Sequence, residues 1–348
     1  MPSGITEADG MAYVGREPWH GLGTRVPGDA MKAAEALEAA GLDWTVRLDP
    51  VYREKVSTIQ RDNEERLGLS SRLRFLNNIT VVPDHQVVVR EDNDSVLGMV
   101  GKRYTIAQNV TTFEFVDAIV GGGDAYYHTA GSLWGGRRVF LLVQLQGDYI
   151  LDNGEALNSF ILLDNSHDGS SALRMRLTKV RVVCQNTLDM ASSGRAGFYA
   201  RHTGGMMSRV VEARNLLGLN AAHMSRYMAE CNMLAQEAWD NAQHETLVRD
   251  LFGIEGRHEL NDHNGVTGAA ARRVMELFHD GIGNAGETRW DAYNAITEFV
   301  DYHRPLRNRI ESVDADDEET NTYRLENSWF ARGGQRLRTR AWNHLTSG

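Results

Sequence analysis

The chain has 348 residues, with 37 Lys and Arg against 47 Asp and Glu and with 42% hydrophobic residues, a composition typical of globular proteins. Its net charge of −10 argues against a protein that coats nucleic acid with its whole surface, although a local basic face is compatible with that total. No apolar run reaches the roughly 18 residues of a membrane-spanning helix, and the N-terminal sequence lacks the order of a secretory signal. We therefore expect a cytoplasmic protein without membrane contact.

The two cysteines, Cys184 and Cys231, are too few for a disulfide framework or a thiolate zinc cage. Both lie within apolar patterns and are predicted to be small buried residues. The chain is long enough to form about two domains, each with a hydrophobic core.

The first third of the sequence predicts one short helix and several strands. The helix is expected to begin at Asp29, a potential N-cap, and to end at Gly41, with Met31, Ala34 and Leu37 on its buried face. A polar turn is expected between the last two strands. The strands are expected at residues 44–48, 51–58, 85–90 and 95–104.

The central part of the sequence predicts an antiparallel meander. A helix at 109–120 leads into it and ends at the glycine run 121–123. Gly135-Gly136 and Asp168-Gly169 supply the chemistry of tight turns between strands. The four strands of the meander are expected at residues 125–134, 137–145, 159–164 and 171–177.

The pattern becomes helical from about residue 205. Asn220 is predicted to cap one helix, and further helices are expected at 266–281 and 288–303. An acidic cluster at 311–319 then precedes an arginine-rich tail. The predicted fold is α+β, with a sheet-containing core at 1–204, a helical region at 205–310 and a charged C-terminal tail at 311–348.

The motifs of common cofactor sites are absent from the sequence. Residues 98–102 end in Gly-Lys but lack the glycine spacing of a P-loop, and the glycine run lacks the context of a dinucleotide site. The best local metal set is His258, Asp262 and His263, but its surroundings favour a turn. We therefore predict no cofactor, no metal and no catalytic residue.

A positively charged segment extends over residues 167–214. It holds eight Lys and Arg against three Asp and Glu, in a chain whose total charge is −10. Because side chains alternate along a strand, Leu173 and Met175 are expected on the buried face, and Arg174 and Arg176 together on the other. Two guanidinium groups about 7 Å apart match the spacing of successive phosphates.

The apolar pattern changes phase after Leu177, because Val180 and Val182 are even-numbered. A β-bulge or a change to helix is therefore predicted. Either would bring Lys179 and Arg181 to the surface of the two strand arginines, whereas a continuous strand would place them on the opposite face. The alternative interpretation of the whole segment is a solvated sheet face whose arginines pair with acids from elsewhere in the chain.

Several short motifs follow one another along the chain: Trp19-His20-Gly21-Leu22-Gly23, Ala39-Ala40-Gly41-Leu42-Asp43-Trp44, Tyr104 with Gln108-Asn109, Ala130-Gly131-Ser132 with Gly135-Gly136-Arg137, Asn165 to Ser171, and Arg181 to Leu188. In this order they resemble the phage/plasmid-like protein family, a domain of unknown function common in actinobacteria, their phages and plasmids. The resemblance extends from about residue 12 to beyond 214. It implies a mobile-element setting such as DNA replication, recombination or defence. The meander with helices is also distantly similar to single-strand annealing recombinases, which form rings around a basic groove.

The leading hypothesis is a non-enzymatic protein that binds or anneals single-stranded nucleic acid through a basic strand face. A homo-oligomer is expected, because a ring or dimer would join separate basic strips. Trp134 or Tyr104 could stack on bases, with a core role as the alternative. The residues predicted to contact phosphates are Arg174, Arg176, Lys179, Arg181, Arg137, Arg138, Arg195 and Arg201.

Two other functions stay open at this point. The first is an interaction module that binds a phage or host protein through its helical C-terminal half. The second is a metal-dependent nuclease or other hydrolase that uses Asp164, His167 and Asp168.

Overall fold

The structure is a computed structural model that describes residues 9–15, 22–54, 79–120, 126–145, 149–181, 187–189, 197–205, 207–255, 266–304 and 332–347. These residues form two β-sheets and a helical region, which confirms the predicted α+β class. The strands are β1 (Met11–Tyr13), β2 (Thr24–Arg25), β3 (Val46–Glu54), β4 (Ile79–Arg90), β5 (Val96–Gly101), β6 (Tyr126–Leu133), β7 (Arg138–Gln144), β8 (Tyr149–Ile150), β9 (Ala156–Ser166), β10 (Leu173–Arg181), β11 (Thr187–Asp189) and β12 (Gly197–Ala200). The helices are α1 (Ala33–Ala39), α2 (Asn109–Val120), α3 (Val210–Gln236), α4 (Asn241–Phe252), α5 (Val266–Asp280), α6 (Arg289–Glu298) and α7 (Arg332–Thr346).

The large sheet contains the predicted meander. Its strand order is β11-β10-β9-β7-β6-β1-β2, with β12 also pairing with β10 and β8 with β9. The β6–β7 turn has positive φ at Trp134, Gly135 and Gly136, which explains the glycine pair. The neighbours β6, β7, β9 and β10 are antiparallel throughout, so the predicted meander is confirmed.

Both faces of the large sheet are covered by apolar side chains. One face, with Leu141, Leu163 and Met175, belongs to a main core shared with α1, α2 and the small sheet. The other face carries a smaller cluster that includes Phe140 and Leu162. Each such fully buried side chain contributes about 1.5–3 kcal/mol of transfer free energy.

The small sheet has the strand order β3-β4-β5. The described parts of the predicted strands 44–48 and 51–58 belong to a single strand, β3, whose register shifts between Pro50 and Tyr52. Residues 55–58 lie outside the described residues. The polar turn predicted between β4 and β5 is confirmed. The sheet packs onto the main core through Val46, Val88 and Leu97.

The helical region has its own core, formed by α3 to α7 and by Leu151 and Leu157 of the large-sheet region. Helix α6 lies at its centre, because every residue from Trp290 to Glu298 is buried. The helix continues as a π-helical turn, Phe299–His303. None of the helices in the described part of the chain is both long and apolar enough to cross a membrane.

Several predicted boundaries in the helices are wrong. Helix α1 begins after Lys32 and not at Asp29, and Met31 instead forms an isolated β-bridge with Tyr127. Asn220 lies inside the continuous helix α3 and caps nothing, because the apolar pattern continues through it.

The predicted charged tail is also wrong for residues 332–346, which form helix α7. Trp342 and Leu345 on this helix are buried in the helical core. Arg338 is fully buried and paired with Asp301 of the π-helical turn. The prediction relied on the arginine-rich composition and overlooked the apolar residues, which recur at helical spacing on one face.

Candidate nucleic-acid interface

The predicted alternation along β10 is present in the structure. Leu173 and Met175 are buried in the main core, and Arg174 and Arg176 are half-buried on the opposite face of the sheet. The two arginines therefore share a face with the smaller apolar cluster. They border buried side chains and do not stand on a fully solvated surface.

Arg174 forms an ion pair with a buried carboxylate. The β9–β10 register places Asp164 directly opposite Arg174. Arg174 Nη2 donates to Asp164 Oδ2 at 2.8 Å, and its Nε lies 3.0 and 3.1 Å from the two carboxylate oxygens. The side chain of Asp164 is fully buried, and that of Arg174 is 20% exposed. Arg174 therefore pairs with an acid of the same chain, as the alternative interpretation of this segment predicts.

The bulge predicted after Leu177 is absent from β10. The β9–β10 pairing continues in one register from Arg174 opposite Asp164 to Arg181 opposite Leu157. The apolar pattern changes phase for a different reason. Thr178 lies on the same face of β10 as Arg174 and Arg176 but is buried, so this face is no longer open to solvent at Thr178. The β-bulge or change to helix that was expected to bring Lys179 and Arg181 beside the two strand arginines is therefore absent from β10.

The eight predicted residues divide into separate groups. Arg181 lies seven positions along the strand from Arg174, a distance of about 23 Å. The backbones of Lys179 and Arg181 belong to β10, but their side chains lie outside the described part of the structure, as does all of Arg195. The structure therefore does not show the eight predicted residues as one continuous basic strip.

Four of the predicted arginines do converge at one end of the large sheet. Arg138 begins β7 opposite Ser166, the last residue of β9. Arg174 is the second residue of β10. The start of β10 pairs with β12, and Arg201 directly follows β12. Arg137 precedes β7 and, like Arg201, is exposed. We call Arg137, Arg138, Arg174 and Arg201 the arginine end of the sheet.

An exposed tyrosine lies beside this arginine end and was missed by the sequence analysis. Tyr199 of β12 is directly opposite Arg174 and is 53% exposed. Side chains of directly opposed residues share a sheet face, so the phenol ring and the guanidinium group are neighbours. The sequence signal that could have indicated the exposure of Tyr199 is the alternation in Gly197-Phe198-Tyr199-Ala200, in which Phe198 is buried.

The aromatic residues that were predicted to stack have other contacts. Tyr104 stacks on His202, with ring centroids 4.7 Å apart, and its hydroxyl donates to Ser166 O at 2.9 Å. Trp134 is half-buried, packs against the smaller apolar cluster and has the Arg138 guanidinium 5.5 Å from its ring centroid. Tyr104 is thus a structural residue, and Trp134 borders the arginine end.

The segment 165–171 lies beside the arginine end and contributes a carboxylate, that of Asp168. Burial tends to raise the pKa of Asp168, but hydrogen bonds from Ser166 and Ser170 and the charge of Arg138 outweigh burial and lower that pKa. Asp168 is therefore a carboxylate at neutral pH that orders its own loop. It is the acidic counterpart of the arginine end.

His167 is fully buried on the main-core side of the loop. Its Nε2 is 2.9 Å from Asn109 Oδ1, and because the Asn109 amide nitrogen donates to Leu42 O, we assign the ring proton to Nε2. Burial, with lesser effects from His202 and Arg90, lowers the pKa of His167 to about 3. The imidazole is neutral and inaccessible to a substrate.

The residues of the hydrolase alternative are not brought together. Asp164 lies on the arginine face of the sheet, whereas His167 lies against Trp44 of the main core, with ring centroids 5.4 Å apart. Among the residues that the structure describes, no group of three or more His, Cys, Asp or Glu side chains is arranged to hold a metal ion. The earlier candidates His258, Asp262 and His263 lie outside the described ranges.

The fold and this site define an α+β protein whose large, mainly antiparallel sheet carries a cationic end beside an exposed aromatic ring. Residues 96–329 match a family described as a domain of unknown function, DUF932. The match covers more than half of the chain, which therefore belongs to this family. Comparison with curated proteins and with solved structures gave no match.

Proposed function

We propose that the protein binds single-stranded nucleic acid at the arginine end of the large sheet, with Tyr199 as the stacking residue. The observation that carries the proposal is the direct pairing of exposed Tyr199 with Arg174, next to exposed Arg201. Proteins that bind single strands combine aromatic stacking with cationic contacts to the backbone. The arginine end contains both chemistries within a few strand positions.

Local charge supports this assignment in spite of the negative total. The arginine end contributes four guanidinium groups, and the described carboxylates Asp164, Asp168 and Asp9 lie close to it. Arg137 and Arg201 are exposed and have no carboxylate partner among the described residues. A local positive field of this kind attracts a polyanion at short range, where screening by salt is incomplete.

The Arg174–Asp164 pair gives Arg174 a positioning role. A guanidinium group has five N–H donors, and the fork to Asp164 uses only the Nε and one side of Nη2. The Nη1 group has no acceptor among the described residues. Arg174 is thereby held in one orientation beside Tyr199, so that less side-chain freedom is lost when a phosphate binds.

A mobile genetic element is the setting that we propose for this activity, in the host cytoplasm and in recombination or single-strand annealing. The proposal rests on the motif resemblance together with the cationic sheet end. A homo-oligomer would extend the short arginine end of one chain into a continuous track. Each of these statements depends on the binding activity and is tested after it.

The first test compares two exposed tyrosines. Tyr199→Ala removes a stacking surface worth about 1–3 kcal/mol per base, so affinity for a fluorescein-labelled single-stranded oligonucleotide is expected to fall by about 5- to 150-fold. Tyr52 on the small sheet is 52% exposed, and Tyr52→Ala is the matched control. Fluorescence anisotropy measures both. Equal affinities of the Tyr199→Ala variant and the wild type would remove Tyr199 from the site.

A further inference from the structure

A cavity of about 350 Å³ lies in the helical region, remote in the fold from the arginine end of the sheet. It is formed where the end of α4, the start of α5, the π-helical turn and the first half of α7 meet. This volume is within the range of sites that hold small organic ligands.

One wall of the cavity is apolar. Phe252 and Phe299 contribute their rings, which pack edge to face with centroids 5.8 Å apart. Ala270 and Leu337 complete this wall. At the rim, Val266 is 68% exposed, so its side chain is accessible to the apolar part of a ligand.

The remaining lining is cationic. Arg304, Arg336 and Arg340 reach the cavity, and no Asp or Glu is among its described lining residues. Arg340 is fixed at the C-terminal end of α4, where it donates to Leu251 O at 2.9 Å and Asp250 O at 2.7 Å. Gly333 leaves room for Arg304, because a Cβ at this position would collide with the Arg304 guanidinium.

Two helix N-termini add to this positive charge. Val266 is the first residue of α5, and Gly333 is the second residue of α7. Neither helix has an acidic residue in its first turn. Each N-terminus therefore presents the positive end of its dipole without an acidic side chain in its own first turn.

The backbone next to the cavity is also irregular. Phe299 begins the π-helical turn, and Arg304 follows its last residue. Short π-helical turns within α-helices occur frequently at functional sites, because they change the direction in which side chains project. Here the turn places an aromatic ring and a guanidinium group on the same cavity.

We propose that this cavity binds a small organic anion that has a compact apolar body and a carboxylate or phosphate group. The apolar body packs against Phe252, Phe299 and Val266, and the anionic group lies among Arg304, Arg336 and Arg340. Planar guanidinium groups suit both oxyanions because two N–H groups can meet two oxygens. This site is independent of the proposed nucleic-acid interface and shares no residue with it.

The test uses octanoate and phenyl phosphate as probes with the full chain, together with their neutral counterparts octanol and benzyl alcohol. Isothermal titration calorimetry is expected to show saturable binding of one anion per chain for at least one probe. Octanoate alone would indicate an aliphatic body, and phenyl phosphate alone an aromatic one. The corresponding alcohol is expected to bind at least about 10-fold more weakly, since it makes no charge-assisted hydrogen bond.

Two variants locate the site. Arg336→Glu and Val266→Glu each add a negative charge at an exposed rim position and are expected to weaken the anion by about 10-fold or more. An acid at the start of α5 favours the helix, so lost binding by Val266→Glu is not a folding defect. Arg226→Glu, on α3 with a side chain 79% exposed, is the control and is expected to bind normally.

Three results would overturn the proposal: no saturable binding of either anion, equal binding of an alcohol and its anion, or equal losses in Arg226→Glu and Arg336→Glu. Because none of these variants alters the arginine end, the result is distinguishable from a failure of nucleic-acid binding.

Discussion

Asp164 is the residue on which the charge of the arginine end depends most strongly. Its carboxylate is fully buried and has Arg174 as its cross-strand partner. A buried carboxylate that loses its partner is costly, whereas the 20% exposed Arg174 can still reach water. The pair therefore orders the site and at the same time reduces its net positive charge.

The substitution Asp164→Asn is expected to change stability and affinity in opposite directions. Loss of the charged hydrogen bonds should lower the free energy of unfolding by about 1–3 kcal/mol. One additional positive charge should strengthen binding of a single-stranded oligonucleotide and steepen its salt dependence by about 0.7 in log affinity per log salt. Urea unfolding and anisotropy titrations measure the two quantities.

A control for this substitution is available on the small sheet. Asp94, 79% exposed, pairs with Arg47 away from the arginine end, and Asp94→Asn is expected to leave affinity unchanged. Weaker binding by Asp164→Asn than by the wild type would show that the positioning of Arg174 matters more than the charge that Asp164 neutralises, contrary to this prediction.

Histidines in buried or half-buried positions make stability depend on pH. Burial lowers the pKa of His167 to about 3 and, as the main cause in each case, that of His128 and of His244 to about 4. The unfolded chain takes up these protons below its ordinary histidine pKa of about 6.5, but the folded chain does not. Stability is therefore fully present above about pH 6.5 and is lost as the pH falls toward about 4.

Replacement of His244 by Phe isolates one of these contributions. His244 stacks on Phe278 with centroids 4.3 Å apart, so a phenyl ring preserves the contact. Between about pH 7 and about pH 5, the wild type is expected to lose about 2 kcal/mol more stability than His244→Phe. Urea unfolding at the two pH values provides the comparison. An equal loss in both proteins would mean that His244 is protonated in the folded state.

At the scale of elements, the small sheet is held against the loop 165–171 by very close backbone contact. A Cβ at Gly98 of β5 would lie 2.6 Å from Asp168 Cα, so only glycine allows this approach. The motif residue Gln108 fastens the other side of the sheet: its amide donates to Val46 O at 2.7 Å and accepts from Val46 N at 3.0 Å. The motifs of the resemblance thus include residues that join the two sheets.

Gly98→Ala is expected to lower the free energy of unfolding by about 1–3 kcal/mol, because the new methyl group meets backbone atoms that cannot move alone. The control is Gly101→Ala on the same strand, where the nearest atom, Asp84 O, is 3.9 Å away. That variant should stay within about 0.5 kcal/mol of the wild type. If the two variants were equally stable, the contact would not be tight in solution.

The sequence predicted those elements whose signals are local. Helix α2 was predicted with its observed bounds, and the Gly135-Gly136 turn identified the β6–β7 hairpin. Pairing partners are not local information: nothing in residues 171–177 indicates that Asp164 lies opposite Arg174. The bulge was wrongly predicted from the even-numbered Val180 and Val182, because the sequence does not show that the arginine face of β10 is already buried at Thr178.

The candidate site was predictable to a similar extent. Alternation correctly placed Arg174 and Arg176 on one face, and Arg137, one of the residues predicted to contact phosphates, is exposed. Tyr199 was not foreseen, since its place beside Arg174 depends on β12 pairing with β10 across a long connection. Sheet register, and not composition, decides which of the many arginines are neighbours.

On the scale of the whole molecule, charge is separated in space as well as in sequence. The chain has a net charge of −10, yet four arginines lie together at the sheet end and three line the helical cavity. Long-range attraction of a polyanion is therefore weak, and binding must come from close contacts at low or moderate salt. Strong salt dependence is the expected signature.

The most direct measurement is the affinity for a single-stranded oligonucleotide as a function of NaCl between about 50 and 200 mM. For the wild type we expect a linear log–log plot with a slope of about −2 to −3, since roughly four phosphates are contacted. The double variant Arg137→Gln/Arg201→Gln, at two exposed positions, should reduce the slope by about 1.4 without changing stability. Absence of binding at the lowest salt, or an identical slope in the double variant, would contradict the account.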